Sequence, residues 1–150
     1  METDENTIYF FSNTEYSWLS NMYPVSFRAE GKDWRSSEHF YQAHKSLDPV
    51  EREKIRNAED GFKAKKLARK VALRPNWEVT KEMFMHHALW YKFNQNKELL
   101  KRLLDTGDKI LVEDGRDEYW GNGLDGSGKN RLGILLMQLR TEFKTTYSTY

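Results

Sequence analysis

Apolar residues recur at three- and four-residue intervals along much of the chain, a pattern that predicts amphipathic helices. The longest such stretch begins near Trp77 and carries two apolar stripes, which consist of Met85, Leu89 and Phe93 on one side and Phe84, Ala88 and Tyr91 on the other. A helix that is apolar on two sides needs cover on both, so we expect this one at the centre of the fold.

Capping residues predict where other helices begin and end. Ser36 and Ser37 are suitable N-caps for a helix that runs to about Leu47, where Asp48-Pro49 ends it and begins the next. The remaining helical patterns cover residues 50–58, 60–71, 99–104 and 132–143. Gly107 can take the left-handed conformation that ends the helix predicted at residues 99–104.

Short runs bounded by turn residues predict strands at residues 7–11, 25–28 and 32–34, which we expect to form a small antiparallel sheet. Residues 110–112 predict one more brief strand. A chain of 150 residues has the usual length of one domain. The sequence therefore predicts a mainly α, multihelical single domain over residues 1–150, with a core at about 7–145 and a small antiparallel β-element near the N-terminus.

Composition excludes several functional classes. Lys and Arg number 24 and Asp and Glu 23, so the net charge of +1 provides no global attraction to nucleic acid or membrane. The absence of cysteine excludes disulfides, thiol catalysis and thiolate metal sites. No apolar run is long enough to span a membrane, and the acidic residues 1–5 do not resemble a secretory signal. We expect a cytoplasmic protein that uses no membrane, metal or cofactor.

A glycine-rich segment precedes the last predicted helix. Its glycines are Gly121, Gly123, Gly126, Gly128 and Gly133. Free amides and the dipole at a helix N-terminus favour phosphate, and Lys129 and Arg131 would add positive charge. An ordinary surface turn is the alternative. The literal dinucleotide pattern from Gly121 to Gly126 carries little weight, because no buried strand precedes it and no acidic residue follows at the required distance.

Residues around this segment are candidates for contact with a substrate. Trp120 stands apart from any helical stripe, and its flat ring suits stacking on a nucleobase. Asp117 and Glu113 either line a site or merely cap the loop, and the sequence favours neither role.

A second dense segment is Ser37-Glu38-His39-Phe40-Tyr41-Gln42-Ala43-His44-Lys45, in which Glu38, Gln42 and Lys45 recur at helical spacing. Glu38 fits catalysis, but a carboxylate in a first helical turn is also stabilised by the helix dipole alone. His39 and His44 are five residues apart and do not share a face well, so they do not predict a metal site.

These motifs together resemble those of the YbiA-like family, also called NADAR for its proposed link to NAD and ADP-ribose. The resemblance spans about Tyr9 to Phe143. Its N-terminal part comprises Leu19-Ser20-Asn21, Trp34, Ser37-Glu38-His39-Phe40, Gln42-Ala43-x-Lys45, Asn76-Trp77, Met83, Ala88 and Lys92-Phe93. Its more specific C-terminal part comprises Leu111-Val112-Glu113, Asp117, Trp120-Gly121-x-Gly123, Gly128-Lys129-Asn130-Arg131-Leu132-Gly133 and Leu136-Met137-x-x-Arg140.

The resemblance implies a multihelical fold with a minor β-element, and it implies hydrolysis of an N-glycosidic bond. Family substrates include ribosylaminopyrimidine phosphates of riboflavin synthesis and ADP-ribosylated guanine in nucleic acid. Glu38, Trp77 and Asp117 match positions held to form the family's site. Met22 and Ala68 depart from the usual Phe and Gly and leave the subgroup open.

The expected mechanism has two carboxyl groups. Glu38 would stabilise the cationic ribose and orient the attacking water, and Asp117 would protonate the departing base if burial near Trp120 keeps its carboxyl protonated. This arrangement requires Glu38 to face the glycine segment across a pocket.

Further residues are expected to hold the phosphorylated ribose or ADP-ribose substrate. Lys45, Lys129, Asn130 and Arg131 would bind phosphate, and Trp77 or Trp120 would stack on the base. The other predicted substrate-binding residues are Asn21, His39, Gln42, Gly121 and Gly123.

Two other functional classes compete with the enzyme. A non-catalytic module that binds ADP-ribose or a nucleotide would use the same residues, and sequence alone does not separate it from an N-glycosidase. A structural nucleic-acid-binding protein fits the near-neutral charge poorly. ADP-ribosylated nucleic acid stays open as a substrate because of a basic helical face, although such faces are commonly just solvated: Lys63, Lys65, Lys66, Arg69 and Lys70.

Overall fold

Helices dominate the computed structural model, which describes residues 5–148. Its elements in chain order are β1 (Thr7–Phe10), a 3₁₀ helix (Ser17–Leu19), β2 (Phe27–Ala29), β3 (Lys32–Trp34), α1 (Ser37–Ala43), α2 (Pro49–Arg56), α3 (Gly61–Ala68), α4 (Trp77–Gln95), α5 (Lys97–Asp105), β4 (Ile110–Glu113) and α6 (Arg131–Ser148). The predicted mainly α class is confirmed. Among residues 5–148, no helix has the length and apolarity that crossing a bilayer requires. Residues 1–4, which contributed to the argument against a secretory signal, lie outside this range.

The chain divides into two compact units. Residues 21–96 form one of them, and residues 5–20 together with 97–148 form the other. The second unit therefore combines an N-terminal and a C-terminal part of the chain. The single domain expected from chain length stays a prediction.

In the unit of residues 21–96, α1 packs against α2, α3 and α4. Their shared core consists of buried residues from the hairpin and all four helices: Phe27, Ala29, Trp34, Phe40, Ala43, Ile55, Ala58, Ala64, Ala68 and Ala88. Small residues dominate the helical contribution, so the helices approach closely around the rings of Trp34 and Phe40, whose centroids lie 5.1 Å apart. Helix α1 is therefore the centre of this unit.

The strands β2 and β3 form the predicted antiparallel pair. Glu30 and Gly31 join them and both have positive φ, 57° and 74°, which is the two-residue turn that matches the twist of a hairpin. The Trp34 indole donates to the carbonyl of Ala29 at 2.9 Å and locks the pair. The tight turn therefore pairs β2 with β3, and this sheet consists of these two strands.

The prediction that β1 joins the same antiparallel sheet is wrong. β1 pairs in parallel with β4, in the register Ile8 with Leu111 and Phe10 with Glu113. Ile8, Phe10 and Leu111 are buried, and α6 packs on β4. A parallel partner from about 100 residues along the chain leaves no local trace in a strand pattern, because only a tight turn identifies a partner from sequence.

Helix α1 is shorter than predicted, since it ends at Ala43 and not near Leu47. The amides of Lys45 and Ser46 donate to the carbonyls of Gln42 and Ala43, three residues back, so the last turn tightens. The predicted start of α2 is confirmed, with Asp48 as N-cap and Pro49 in the first turn.

Helix α4 has the predicted two apolar sides, and it packs against both α1 and β2. The two sides bury Phe84, Met85, Ala88, Leu89 and Phe93. The sequence did not predict that Lys92, on the same helix, has an exposed fraction of 0%. Its ammonium lies 5.2 Å from the centroid of Phe93 and 5.8 Å from that of Tyr23. Burial lowers the pKa of Lys92 to about 7.

The depressed pKa of Lys92 predicts a pH-dependent stability. Above about pH 7 the folded state loses this proton while the unfolded chain, with a pKa near 10.5, keeps it. Stability should therefore rise by about 2 kcal/mol between about pH 7 and pH 9, and Lys92→Met should remove that rise. Urea unfolding of both proteins at the two pH values measures it.

Lys66→Met is the matched control because Lys66 is exposed on α3. This variant should keep the pH dependence of the unsubstituted protein. An equal pH dependence in Lys92→Met and the unsubstituted protein would contradict a titrating buried lysine.

Candidate active site

Glu38 lies in the first turn of α1 and is buried, with an exposed fraction of 6%. Its backbone amide donates to the carbonyl of Asn21 at 3.1 Å. The hydroxyl of Ser37 donates to Oδ1 of Asn21 at 2.8 Å, and Nδ2 of Asn21 donates to Sδ of Met85 at 3.1 Å. The start of α1 is therefore fixed both to the segment before β2 and to α4.

Gln42 lies one turn after Glu38 on the same face, as the spacing predicted. Its Nε2 donates to Oε1 of Glu38 at 2.7 Å. The Gln42 side chain is 2% exposed, and its Oε1 is buried without a hydrogen-bond partner. A buried carboxylate next to an unsatisfied amide oxygen is costly in an apolar core, and such groups concentrate at binding sites.

Helix α3 begins directly against the stem of Glu38. A Cβ at Gly61 would lie 3.2 Å from Cβ of Glu38 and 2.6 Å from Sδ of Met22. Asp60 caps this helix by accepting from the amide of Lys63 at 2.8 Å. The glycine thus lets the start of α3 pack directly against the aliphatic stem of Glu38.

His39 has partners for both ring nitrogens. Nε2 donates to the carbonyl of Ala58 at 3.0 Å, and the hydroxyl of Ser36 lies 2.7 Å from Nδ1 and can donate to it. Burial lowers the pKa of His39, which favours the neutral ring that this pattern requires. His39 therefore joins α1 to the end of α2, and its predicted contact with substrate stays a prediction. Within residues 5–148 no cluster of His, Asp or Glu is suited to a metal ion.

Trp77 is 5% exposed, and other rings pack around it. Its centroid lies 5.3 Å from that of Tyr41 and 5.8 Å from that of Phe84, whose plane is within 18° of parallel. Lys45 lies just beyond α1, with its ammonium 5.5 Å from the Tyr41 centroid. This aromatic group continues from the helix that carries Glu38.

Sequence reasoning missed residues that hold Glu38 in place. The sequence predicts Ser37 as a helix cap and as part of the family motif, predicts Met85 as a core residue, and indicates no role for Gly61. The available signal for Gly61 was its position after Asp60, a good N-cap, at the start of a helix. Packing against Glu38 carried no sequence signal.

In the other unit, the glycine segment uses its own amides. The amides of four residues donate to loop carbonyls at 2.8–3.1 Å: Lys129 to Glu118, Asn130 to Gly121, Arg131 to Tyr119 and Leu132 to Trp120. The expectation of free amides at the start of α6 is wrong for these residues. The segment folds back on itself, so its own carbonyls accept from the amides that could otherwise donate to a phosphate.

Close packing explains the glycines. A Cβ at Gly128 would lie 2.5 Å from the carbonyl oxygen of Gly121, and a Cβ at Gly133 would overlap the carbonyl oxygen of Leu111. At Gly121 it would lie 3.0 Å from the carbonyl oxygen of Asp117, whereas Gly123 has a φ of 71°. Backbone contacts within the protein, and the left-handed conformation, therefore account for these positions.

Asn130 ties the loop to β4. Its Nδ2 donates to the carbonyl of Leu111 at 2.9 Å, and its Oδ1 accepts from the amide of Glu113 at 3.0 Å. It does this with a φ of 50°, which Asn tolerates better than most residues. The side chain of this predicted phosphate ligand thus has protein partners at both ends.

Asp117 caps a tight turn, which is one of the two roles the sequence left open. Its Oδ1 accepts from the amides of Tyr119 at 2.8 Å and Trp120 at 2.7 Å. The condition for its role as an acid, burial near Trp120, is not met, because Asp117 is exposed.

The remaining predicted residues on this unit have accessible side chains. Trp120 is half-buried, with its ring 4.8 Å from that of Tyr119 in an edge-on arrangement. Lys129 is exposed, with its ammonium 5.6 Å from the Tyr119 centroid, and Arg131 is half-buried. The facing of Glu38 and Asp117 across a pocket stays a prediction.

The self-packing of the glycine segment predicts position-specific effects on stability. Gly133→Ala should destabilise the protein by about 3 kcal/mol, because its methyl group would overlap backbone and the Asn130 side chain. Gly126→Ala is the matched control, since it meets no atom within 4 Å and carries only the strain of a positive φ, about 1 kcal/mol. Urea unfolding compares them, and similar losses would contradict the packing role.

Comparison with known proteins agrees with this architecture. The NADAR domain model matches residues 9–144. The N-glycosidase YbiA of Escherichia coli (strain K12) is 43% identical over 142 residues, which cover 92% of this chain and 89% of that protein. A riboflavin biosynthesis protein of Vibrio vulnificus is 40% identical over 144 residues, 93% of this chain and 39% of that protein. The NMR structure of Escherichia coli YbiA matches with a TM-score of 0.89 at 39% identity, covering 99% of this chain and 91% of that one. The chain therefore belongs to the NADAR family.

Proposed function

We propose that this protein hydrolyses the N-glycosidic bond between a phosphorylated ribose or ADP-ribose and a nitrogenous base. The observation that carries the proposal is the buried Glu38 carboxylate, held at 2.7 Å by Gln42 in a first helical turn. A carboxylate kept in place within a protected site can stabilise positive charge that develops on a sugar. The names of the relatives, N-glycosidase among them, support the same reaction.

In the proposed reaction, the bond between the anomeric carbon and the base nitrogen breaks, and its electron pair leaves with the nitrogen. Water attacks the anomeric carbon and gives one proton to Glu38. The departing nitrogen takes a proton from a second water, which we propose the exposed Asp117 carboxylate orients, and the proton on Glu38 returns to the hydroxide that this leaves. The products are the free sugar phosphate and the free base.

In this proposal charged side chains bind the phosphate, because the amides of residues 129–132 already donate to carbonyls within the loop. Lys129 and Arg131 are the proposed phosphate ligands on the glycine segment, and Lys45 is the ligand after α1. An arginine can bind two phosphate oxygens at once. Asn130 contributes by holding the segment on β4, and the Trp120 ring is proposed to stack on the base.

Two substrate classes fit the proposal. The relatives named riboflavin biosynthesis proteins support a ribosylaminopyrimidine phosphate. ADP-ribosylated guanine in nucleic acid is the alternative, for which exposed cations on and after α3, Lys66, Arg69 and Lys70, offer a contact surface. We propose the cytoplasm as the location, which a chain without cysteine favours.

Substitution of Glu38 tests the central role. Glu38→Gln keeps the shape and an oxygen that accepts from Gln42, but it removes the charge. We expect turnover of a ribosylaminopyrimidine phosphate or of ADP-ribosylated DNA to fall by about 100- to 10,000-fold. Mass spectrometry of the released base measures the rate on each substrate separately.

Glu78→Gln is the matched control, since Glu78 is exposed on α4 and pairs with Lys81. It should leave turnover unchanged. Full activity of a folded Glu38→Gln protein would exclude the assigned role. Calorimetry with ADP-ribose identifies the competing binding module, which would release heat on binding but no free base.

Substitution of Asp117 separates its two roles. Asp117→Asn keeps an oxygen that accepts from Tyr119 and Trp120 but removes the carboxylate charge that would orient the water. Asp117→Ala removes both functions. If Asp117 acts on the departing base, both variants should lose about 100-fold or more in turnover. Loss in Asp117→Ala alone would leave Asp117 with the capping role only.

A further inference from the structure

We infer that Gln42 accepts a hydrogen bond from the 2′-hydroxyl of the substrate ribose and makes the protein selective for ribosides over 2′-deoxyribosides. The inference rests on the proposed function, because it places the ribose beside Glu38. It goes beyond that function by naming the sugar that the site selects and the atom that selects it.

The orientation of the Gln42 amide is fixed by its neighbour. Its Nε2 lies 2.7 Å from Oε1 of Glu38, where an amide nitrogen donates to a carboxylate oxygen. Rotating the amide by half a turn would bring two acceptor oxygens together at that distance and lose the charge-assisted bond. The amide oxygen must therefore be the end that points away from Glu38.

That oxygen has no protein partner although it is buried. The side chain is 2% exposed, and Oε1 is among the buried atoms that lack a hydrogen bond in residues 5–148. An amide oxygen accepts and cannot donate, so it requires a donor from outside the protein. A carbonyl or phosphate oxygen of a ligand cannot serve, but a hydroxyl can.

Proximity to Glu38 selects one hydroxyl among those of a ribose. If Glu38 stabilises charge at the anomeric carbon, a group bonded to Glu38 lies next to that carbon, and the 2′-hydroxyl is on the adjacent carbon. A hydrogen bond from the 2-hydroxyl of a sugar strengthens as positive charge develops at the anomeric centre. Gln42 would thus act as a positioning residue for the ribose and raise selectivity in the transition state.

The loss of a donor explains why a 2′-deoxyriboside would be rejected. Without the 2′-hydroxyl, the buried oxygen of Gln42 would stay unsatisfied in the complex. Sites built to hydrogen-bond a substrate hydroxyl discriminate strongly against analogues that lack it, because the protein group is left without a partner. Ordered water in place of the hydroxyl would reduce the discrimination.

The test compares kcat/KM for a matched riboside and 2′-deoxyriboside of the same base and phosphate. Gln42→Met is similar in shape and places no oxygen acceptor at the position of Oε1. We expect the ratio of riboside to 2′-deoxyriboside kcat/KM to fall by about 10- to 100-fold in this variant. Comparing this ratio between the variant and the unsubstituted protein removes the difference in intrinsic reactivity of the two sugars. It also removes the effect of losing the bond to Glu38, because that loss slows both substrates.

Two controls keep the result interpretable. Gln138→Met, at an exposed position on α6, should leave the ratio and the basal activity unchanged. Glu38→Gln should slow both substrates by similar factors. An unchanged ratio in a folded Gln42→Met protein, verified by thermal unfolding, would overturn the inference.

A binding measurement keeps the inference testable if the reaction itself fails. We expect ribose 5-phosphate to bind the unsubstituted protein about 10-fold more tightly than 2-deoxyribose 5-phosphate in calorimetry. Equal affinities would overturn the role of Gln42, whatever the activity. Absence of turnover on every riboside with this affinity difference intact would instead contradict the proposed hydrolysis and leave the role of Gln42 in place.

Discussion

Burial of a carboxylate is the constraint on which the unit of residues 21–96 depends. Removing a charge from water is unfavourable unless dipoles and hydrogen bonds replace the lost solvation. Around Glu38 the amide of Gln42 donates one such hydrogen bond at 2.7 Å, and the start of α3 packs on the stem of Glu38, an approach that requires Gly61. The backbone amide of Glu38 is in turn bonded to Asn21. Helices α1 and α3 are thus arranged around one acidic group at the centre of their packing.

A different constraint organises the glycine segment of the other unit. Here the chain between β4 and α6 folds back on itself, and its amides donate hydrogen bonds to its own carbonyls. Asn130 closes the return with two hydrogen bonds to β4. Glycines are needed wherever backbone contacts backbone, as at Gly128 and Gly133. The same residue type that commonly marks a phosphate cradle is required here by internal packing.

The parts of the fold that sequence could predict are those set by local chemistry. N-caps and periodicity located α1, α2 and the two apolar sides of α4, and turn residues located the hairpin of β2 and β3. The parallel pairing of β1 with β4 escaped prediction because its partners are far apart in sequence. The burial of Lys92 escaped as well, since a single lysine within an apolar pattern looks like a solvated position.

For the site, too, the sequence predicted the features that local chemistry determines and missed those that depend on folding of distant residues. The family and the class of enzyme are confirmed by the matching domain model and the named relatives. The spacing of Glu38 and Gln42 was enough to place them on one face, since helical geometry fixes that relation. The state of the loop amides and the exposure of Asp117 depend on how a glycine-rich segment folds back, which no spacing rule encodes. The roles assigned to Glu38, Asp117 and the cations stay proposals.

Binding phosphate by charged side chains and not by backbone amides affects which substrates the proposed site would accept. Fixed amides bind phosphate in one geometry, whereas the proposed ligands Lys129, Arg131 and Lys45 would bind it with charges on flexible side chains. Such stems can follow a monophosphate or a diphosphate with little change in the backbone. In contrast, the Gln42 oxygen is fixed by a buried bond and can accept only at one place. The proposed roles would therefore combine tolerance of different phosphate groups with strict recognition of the sugar.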